Sequence, residues 1–199
     1  PPHFRAAGIY GAILARGNDG LPLLIEQLKT NDPLRVEIAL KAARQLPGTE
    51  TTKALAAQLE TAKPIIQALL IQVLADRKDS AAYDSIKALA SSTNTQVRIA
   101  SLKVLGQIGD AAAIPQLLKA LTAQGEEPTI AAAALRTLEG KGVDQGIIKG
   151  MKSAKPSVRP ELITILADRN FKAAAPALLE QAEAKDQPVA AAALKALTS

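Results

Sequence analysis

A twelve-residue pattern recurs along the whole chain and restricts its fold more than any other feature. QVRIASLKVLGQ (96–107) matches TIAAAALRTLEG (129–140), SVRPELITILAD (157–168) and PVAAAALKALTS (188–199). Upstream, IIQALLIQVLAD (65–76) and LRVEIALKAARQ (34–45) fit the same frame. Val97, Ile130, Val158 and Val189 occupy one position, and Leu105, Leu138, Leu166 and Leu197 another. The steps between copies fall within the range of roughly 20–50 residues that marks stacked repeats. A longer echo is also present: VLADRKDSAAYDSI (73–86) resembles ILADRNFKAAAPAL (165–178).

A second pattern alternates with the first. GLPLLIEQLK (20–29), AIPQLLKALT (113–122) and AAPALLEQAE (174–183) share a proline followed by a Leu or Ile pair. Proline in the first helical turn loses no hydrogen bond, because that N–H has no intrahelical acceptor. Pro22, Pro115 and Pro176 therefore read as helix starts. Pro33, Pro64, Pro128, Pro156 and Pro188 open the other helix class for the same reason. Short polar turns such as Thr30-Asn31-Asp32, Ser92-Thr93-Asn94 and Ala184-Lys185-Asp186 separate the two. In the best-formed unit, Gln96 to Leu121, a helix, a turn at Gly109-Asp110 and a second helix follow in order. Neither helix can bury its apolar face alone, so similar units must stack on both sides.

A helix with an early proline, an Asp/Asn turn and then V-R-x-x-A-x-x-x-L-G resembles HEAT repeats, especially the short bacterial PBS-lyase-like class. Val97-Arg98 through Gly106, and Val158-Arg159, carry the signature best. The resemblance covers nearly the whole chain. It implies an all-α right-handed superhelix, a solenoid of about six helical hairpins and thirteen helices, forming one domain over residues 1–199. Arg98 is replaced by Ala131 and Ala190 in later copies, so the polar ladder of Asp and Arg that runs along HEAT stacks is expected to be incomplete. Residues 6–17 read as the second helix of a repeat without its partner, and the chain ends on a helix of the same kind. Because stacked repeats need polar caps, the chain is expected to be a piece of a longer protein.

Composition agrees with close helix pairing: 48% of residues are apolar, only 2% aromatic, and Trp is absent. No apolar run approaches the roughly 18 residues of a membrane-spanning helix. No signal peptide is visible, and Pro1-Pro2-His3 looks like a trimmed end, so the compartment stays open between cytoplasm and periplasm. There is no cysteine, which excludes disulfides and thiol catalysis.

On a helical wheel, Val97, Ser101, Val104, Leu105 and Ile108 form one apolar stripe, with Ile99, Lys103, Gly106 and Gln107 opposite. By the HEAT resemblance, this helix class lines the concave face. The Lys103 position, read through the repeats, holds Lys41, Gln72, Lys103, Arg136, Thr164 and Lys195. Four of the six are basic, on a chain of net charge +5. The Gln107 position gives Gln45, Asp76, Gln107, Gly140 and Asp168, a mildly acidic companion row. The basic row reads either as solvated surface or as a face that meets an acidic partner, protein or phosphate backbone.

Catalytic patterns are missing from the sequence. With one histidine, His3, and no cysteine, the chain has no Cys/His zinc site. The His-Glu pairs that hold a di-iron centre in HEAT-type hydroxylases do not occur. No nucleophile elbow, P-loop or dinucleotide fingerprint occurs either. The aromatics Phe4, Tyr10, Tyr83 and Phe171 are too scattered for a base pocket; Tyr10 and Tyr83 fit better as wedges between helices. Asp76 and Asp168, each followed by an arginine, suit polar pairing near a helix end. Gly146 and Gly150 lie one turn apart, where they either permit a close helix crossing or loosen segment 140–152. The expected function is a non-enzymatic protein-interaction scaffold without a cofactor. The alternatives are phosphate-backbone binding through the basic row, or an accessory, lyase-like enzyme subunit.

Overall fold

The computed structural model describes residues 2–170 and 172–198, so Phe171 and Ser199 lie outside it, with Pro1. Among the described residues all regular structure is helical. The helices are α1 (Pro2–Arg16), α2 (Leu21–Leu28), α3 (Pro33–Gln45), α4 (Thr49–Gln58), α5 (Pro64–Arg77), α6 (Tyr83–Leu89) and α7 (Thr95–Ile108). Then follow α8 (Ile114–Ala120), α9 (Glu127–Thr137), α10 (Val143–Ser153), α11 (Arg159–Asp168), α12 (Ala175–Ala182) and α13 (Gln187–Thr198). Short 3₁₀ turns precede α2, α6, α8 and α12. After α1, the helices pair into six hairpins, each an even-numbered helix followed by an odd-numbered one.

Helix starts follow the sequence closely. Asp32 caps α3 by accepting from the N–H of Leu34, and Asn94 and Asp186 do the same for Val97 and Val189. Pro22, Pro115 and Pro176 sit in the first turns of α2, α8 and α12. Pro156 differs from expectation: it lies in the turn ahead of α11, and Pro160 occupies the first turn instead. Proline at 160 has no N–H to give the Pro156 carbonyl, so the hydrogen-bonded helix begins later.

The chain divides into two compact units, one up to Val104 and one from Leu105 on. The second repeats the first 92 residues later, hairpin for hairpin. Leu55, Leu59, Leu70 and Leu74 form the centre of the first unit, and their counterparts Ile147, Met151, Leu162 and Leu166 that of the second; all are at most 2% exposed. Even the unusual backbone recurs. Lys78 and Asn170 both have φ of 52°, and the turns after α3 and α9 use Gly48 and Gly140 at φ of 90° and 121°, where a side chain is strained.

Arginines in the first turns of α3, α7 and α11 tie three of the hairpins together. Arg98 donates to the carbonyls of Ser92 and Thr93 at 2.7 and 3.0 Å. Arg159 reaches Ala154 and Lys152 just after and within the end of α10. Arg35 donates to Gln27 Oε1 at 2.7 Å. The last carbonyls of a helix lack intrahelical partners, so a guanidinium there satisfies groups the helix cannot. Ala190 stands at the place of Arg98 and offers no such donor; Gln181 of α12 also keeps a buried Oε1 with no hydrogen-bond partner among the described residues. The ladder is incomplete at this point.

The buried stripe of α7 is wider than the wheel suggests. Val97, Ser101, Val104 and Leu105 are fully buried, but so is Leu102, and Gly106 is buried as well. The helix covers two sides: Ser101 Oγ donates to Ile86 O on α6, while Gly106 lies against Ala134 on α9. In α10, Gly146 and Gly150 provide a close crossing: a Cβ at either would come within 2.4 and 2.3 Å of Ile114 and Leu118 on α8.

Candidate functional site

The six residues of the predicted row fall on the odd-numbered helices, three in each unit. In the first, Lys41 is exposed on α3, Gln72 half-buried on α5 and Lys103 exposed on α7. Lys41 stacks its ammonium over the Tyr10 ring at 5.1 Å, and Tyr10 donates to Gln45 Oε1 at 2.7 Å. Tyr10 is thus a wedge between α1 and α3. In the second unit, Arg136 is half-buried on α9, with Thr164 and Lys195 exposed on α11 and α13. Thr164 donates its hydroxyl to Pro160 O of its own helix.

Arg136 is not a free cation. Its Nε donates to Asp168 at 2.7 Å and its Nη2 to Glu161 at 3.0 Å. The hydrogen bond to Asp168 is the main cause that raises its pKa above the ordinary arginine value, and Glu161 adds to it. The same geometry recurs in the first unit, where Arg44 Nε donates to Asp76 at 2.7 Å. The structural counterpart of Arg136 is therefore Arg44, not Lys41, three residues earlier. The helix ends agree: Leu46 and Leu138 close α3 and α9 with matching extended backbone, ψ 121° and 123°. The alanine run in α9 leaves its register unmarked, which is why the twelve-residue frame slipped there. Asp76 and Asp168 are the acid halves of these helix-to-helix ties.

The residues following them hold the strongest polar assembly in each unit, and their partners left no signal in the sequence. Arg77 donates to the carbonyls of Ala43, Leu46 and Gly48 and, through Nε, to Thr52 Oγ1. Arg169 donates to the carbonyls of Leu135, Arg136 and Leu138 at 2.9, 3.0 and 2.8 Å, and through Nε to Asp144. Burial lowers the pKa of Arg77, although nearby Asp79 opposes the shift. Thr52 and Asp144 hold equivalent places. Main-chain carbonyls carry no side-chain signature, so only the repeated Asp-Arg pair hinted at the assembly.

What remains exposed in the first unit is a groove of about 480 Å³ between α3 and α5. Val36, Leu40 and Ile66 form its floor, and Ile65 and Leu69, 57% and 40% exposed, form its wall. Sequence reasoning missed it, because apolar residues in an apolar repeat read as core. Among the described residues no three metal-ligating side chains cluster, and no helix is long and apolar enough to cross a membrane.

Helices of two alternating classes, packed hairpin on hairpin and tied by recurring arginines, define an α-helical repeat protein. Residues 52–139 match the family model of HEAT repeats. None of the curated proteins matches it. Among solved structures, the chain is similar to an engineered protein from the Northeast Structural Genomics Consortium. The identity is 20%, the match covers 97% of this chain and 84% of that one, and the TM-score is 0.43. It is also similar to human deoxyhypusine hydroxylase in complex with glycerol, at 15% identity, 100% and 98% coverage and a TM-score of 0.39.

Proposed function

We propose that the chain is a non-enzymatic scaffold that binds a partner protein through the outward faces of its odd-numbered helices. The observation that supports this most directly is the division of labour among its charges. Arg44, Arg77, Arg136 and Arg169, with the acids Asp76, Asp144, Glu161 and Asp168, are spent on tying helices together. The acids a hydrolytic mechanism would draw on are thereby neutralised, whereas Lys103 and Lys195 project outward. Side chains fixed on packed helices lose little entropy on binding, which favours a repeat surface as an interaction platform.

Phosphate-backbone binding draws less support, because Arg136 is already occupied by two carboxylates. The remaining three cations would give a log-affinity slope against log-salt of about −2.7. The test compares capture of partner proteins by the protein with and without Lys41→Glu and Lys103→Glu. Loss of a partner at moderate salt, with no measurable retention on a polyanion column, supports the scaffold. Retention that falls with the steep slope would replace it by nucleic-acid binding.

A further inference from the structure

We infer that the groove between α3 and α5 is the docking site for a partner-protein segment that presents an apolar side chain beside a carboxylate. The inference rests on the scaffold reading and specifies where on the first unit the partner sits.

The 92-residue duplication provides an internal control. In the second unit, Arg136 holds two acids, Asp168 through Nε and Glu161 through Nη2. In the first, Arg44 makes the same bond to Asp76 and turns Nη1 to its own Leu40 carbonyl. Leu69 stands where Glu161 does, so the second carboxylate is missing. One turn earlier, Ile65 stands where Ser157 does. In the second unit Glu161 takes Leu69's place on the helix and Ser157 lies in the turn just ahead of it, so packing at these places does not require apolar residues. Two large aliphatic side chains left in water, side by side at i and i+4, mark a surface meant to be covered.

Charge identifies what covers it. Lys63 lines the groove, and Arg44, bonded to the carbonyl of the lining residue Leu40, stands next to it. Arg44 has one acid where its counterpart has two, and Lys63 donates to the neutral amide of Asn31. Against them, the groove's lining carries only Glu37. An occupant complementary to this site places an aliphatic or aromatic side chain against Ile65 and Leu69. It also delivers to Arg44 the carboxylate that Glu161 delivers to Arg136. A guanidinium favours a carboxylate in this geometry because its planar fork can serve two acids at once.

The decisive variant is the double substitution Ile65→Ser with Leu69→Glu, which installs the second unit's own residues. It supplies Arg44 with its second acid and keeps the fold; circular dichroism verifies that. A display library of random linear peptides is selected on the wild-type protein. The expected winners share an apolar residue at a fixed spacing from Asp or Glu. The double variant weakens their binding about tenfold or more, and Arg44→Gln weakens it severalfold. Winners with no acidic preference, or indifferent to both variants, overturn the assignment. If such indifferent winners are instead lost on Lys103→Glu, the scaffold reading survives and only the groove fails. A selection without any binder counts against both. Sedimentation covers the remaining occupant: a wild-type dimer dissolved by the double variant would make a second copy of the chain the ligand and overturn the proposal.

Discussion

Gly106 and Ala134 meet backbone to backbone: a Cβ on the glycine would lie 2.6 Å from the Ala134 Cα and 2.8 Å from its Cβ. Neither helix can yield without moving its whole main chain. Gly106→Ala should therefore destabilise by about 2–3 kcal/mol, outweighing the roughly 1 kcal/mol of helix propensity it gains. Gly146→Ala is the contrast, because its new Cβ meets only the mobile tip of Ile114. That variant should stay within about 1 kcal/mol of wild type. Urea midpoints compare the two directly, and equal effects would contradict the distinction between backbone and side-chain obstruction.

Arg77 and Arg169 should resist replacement even by lysine. Each serves three carbonyls and a side chain through a planar fork that an ammonium cannot reproduce. Arg169→Lys should destabilise by about 2 kcal/mol. Arg169→Ala should exceed Arg77→Ala, because it strands the Asp144 carboxylate, only 25% exposed, whereas Thr52 is neutral. Adding Asp144→Asn to Arg169→Ala should recover part of the loss.

Helix classes, their order and most of their starts were legible in the sequence, because apolar spacing, early prolines and Asp/Asn caps are local signals. The register of α9 was not, since residues 131–134 are all alanine and give no landmark. The longer period was visible only around Asp76 and Asp168, where the anchoring arginines follow. Their function stayed hidden because their acceptors are backbone carbonyls. Ile65 and Leu69 stayed hidden for the opposite reason: the sequence marks them as apolar but cannot show that no neighbour covers them. The second unit's Ser157 and Glu161 reveal what the first unit lacks only once the two are superposed by their Arg–Asp ties.

Leu105 and Lys103 test which faces are inside. Leu105 is fully buried, and Lys103 is exposed. Leu105→Asp places a charge in an apolar interior and should destabilise by more than about 4 kcal/mol. Lys103→Glu should remain within about 0.5 kcal/mol of wild type and change only partner binding. Thermal melts of both variants decide the matter.

Asp79 makes part of the stability pH-dependent. The N–H of Ala81 is the main group that holds its pKa below the ordinary 3.8, with help from Thr52, Thr49 and Arg77. A carboxyl with a lowered folded pKa contributes fully above its unfolded value, and the contribution is lost as pH falls through the folded one. Wild type should therefore lose its advantage over Asp79→Asn below pH 3.8 and hold it steadily above that. A stability difference that does not change across this range would assign the shift to another group.

The last hairpin offers a repair. Gln27, 1% exposed, is satisfied at both ends: Nε2 donates to Leu23 O at 3.0 Å, and Oε1 accepts from Arg35 at 2.7 Å. Gln181 holds the same place in the matching segment and is 5% exposed, yet its Oε1 has no partner among the described residues. Val189 stands at the position of Arg35 and has no donor to offer. An unmet buried acceptor is costly, whereas replacing it by an apolar group of similar shape removes the penalty. Gln181→Leu should accordingly stabilise the protein by about 1 kcal/mol, and Gln27→Leu, which takes the acceptor from Arg35, should destabilise it by about 1–2 kcal/mol. Urea midpoints of the two variants separate them. If Gln181→Leu destabilises as much as Gln27→Leu, the unmet acceptor is not a weakness of the last hairpin.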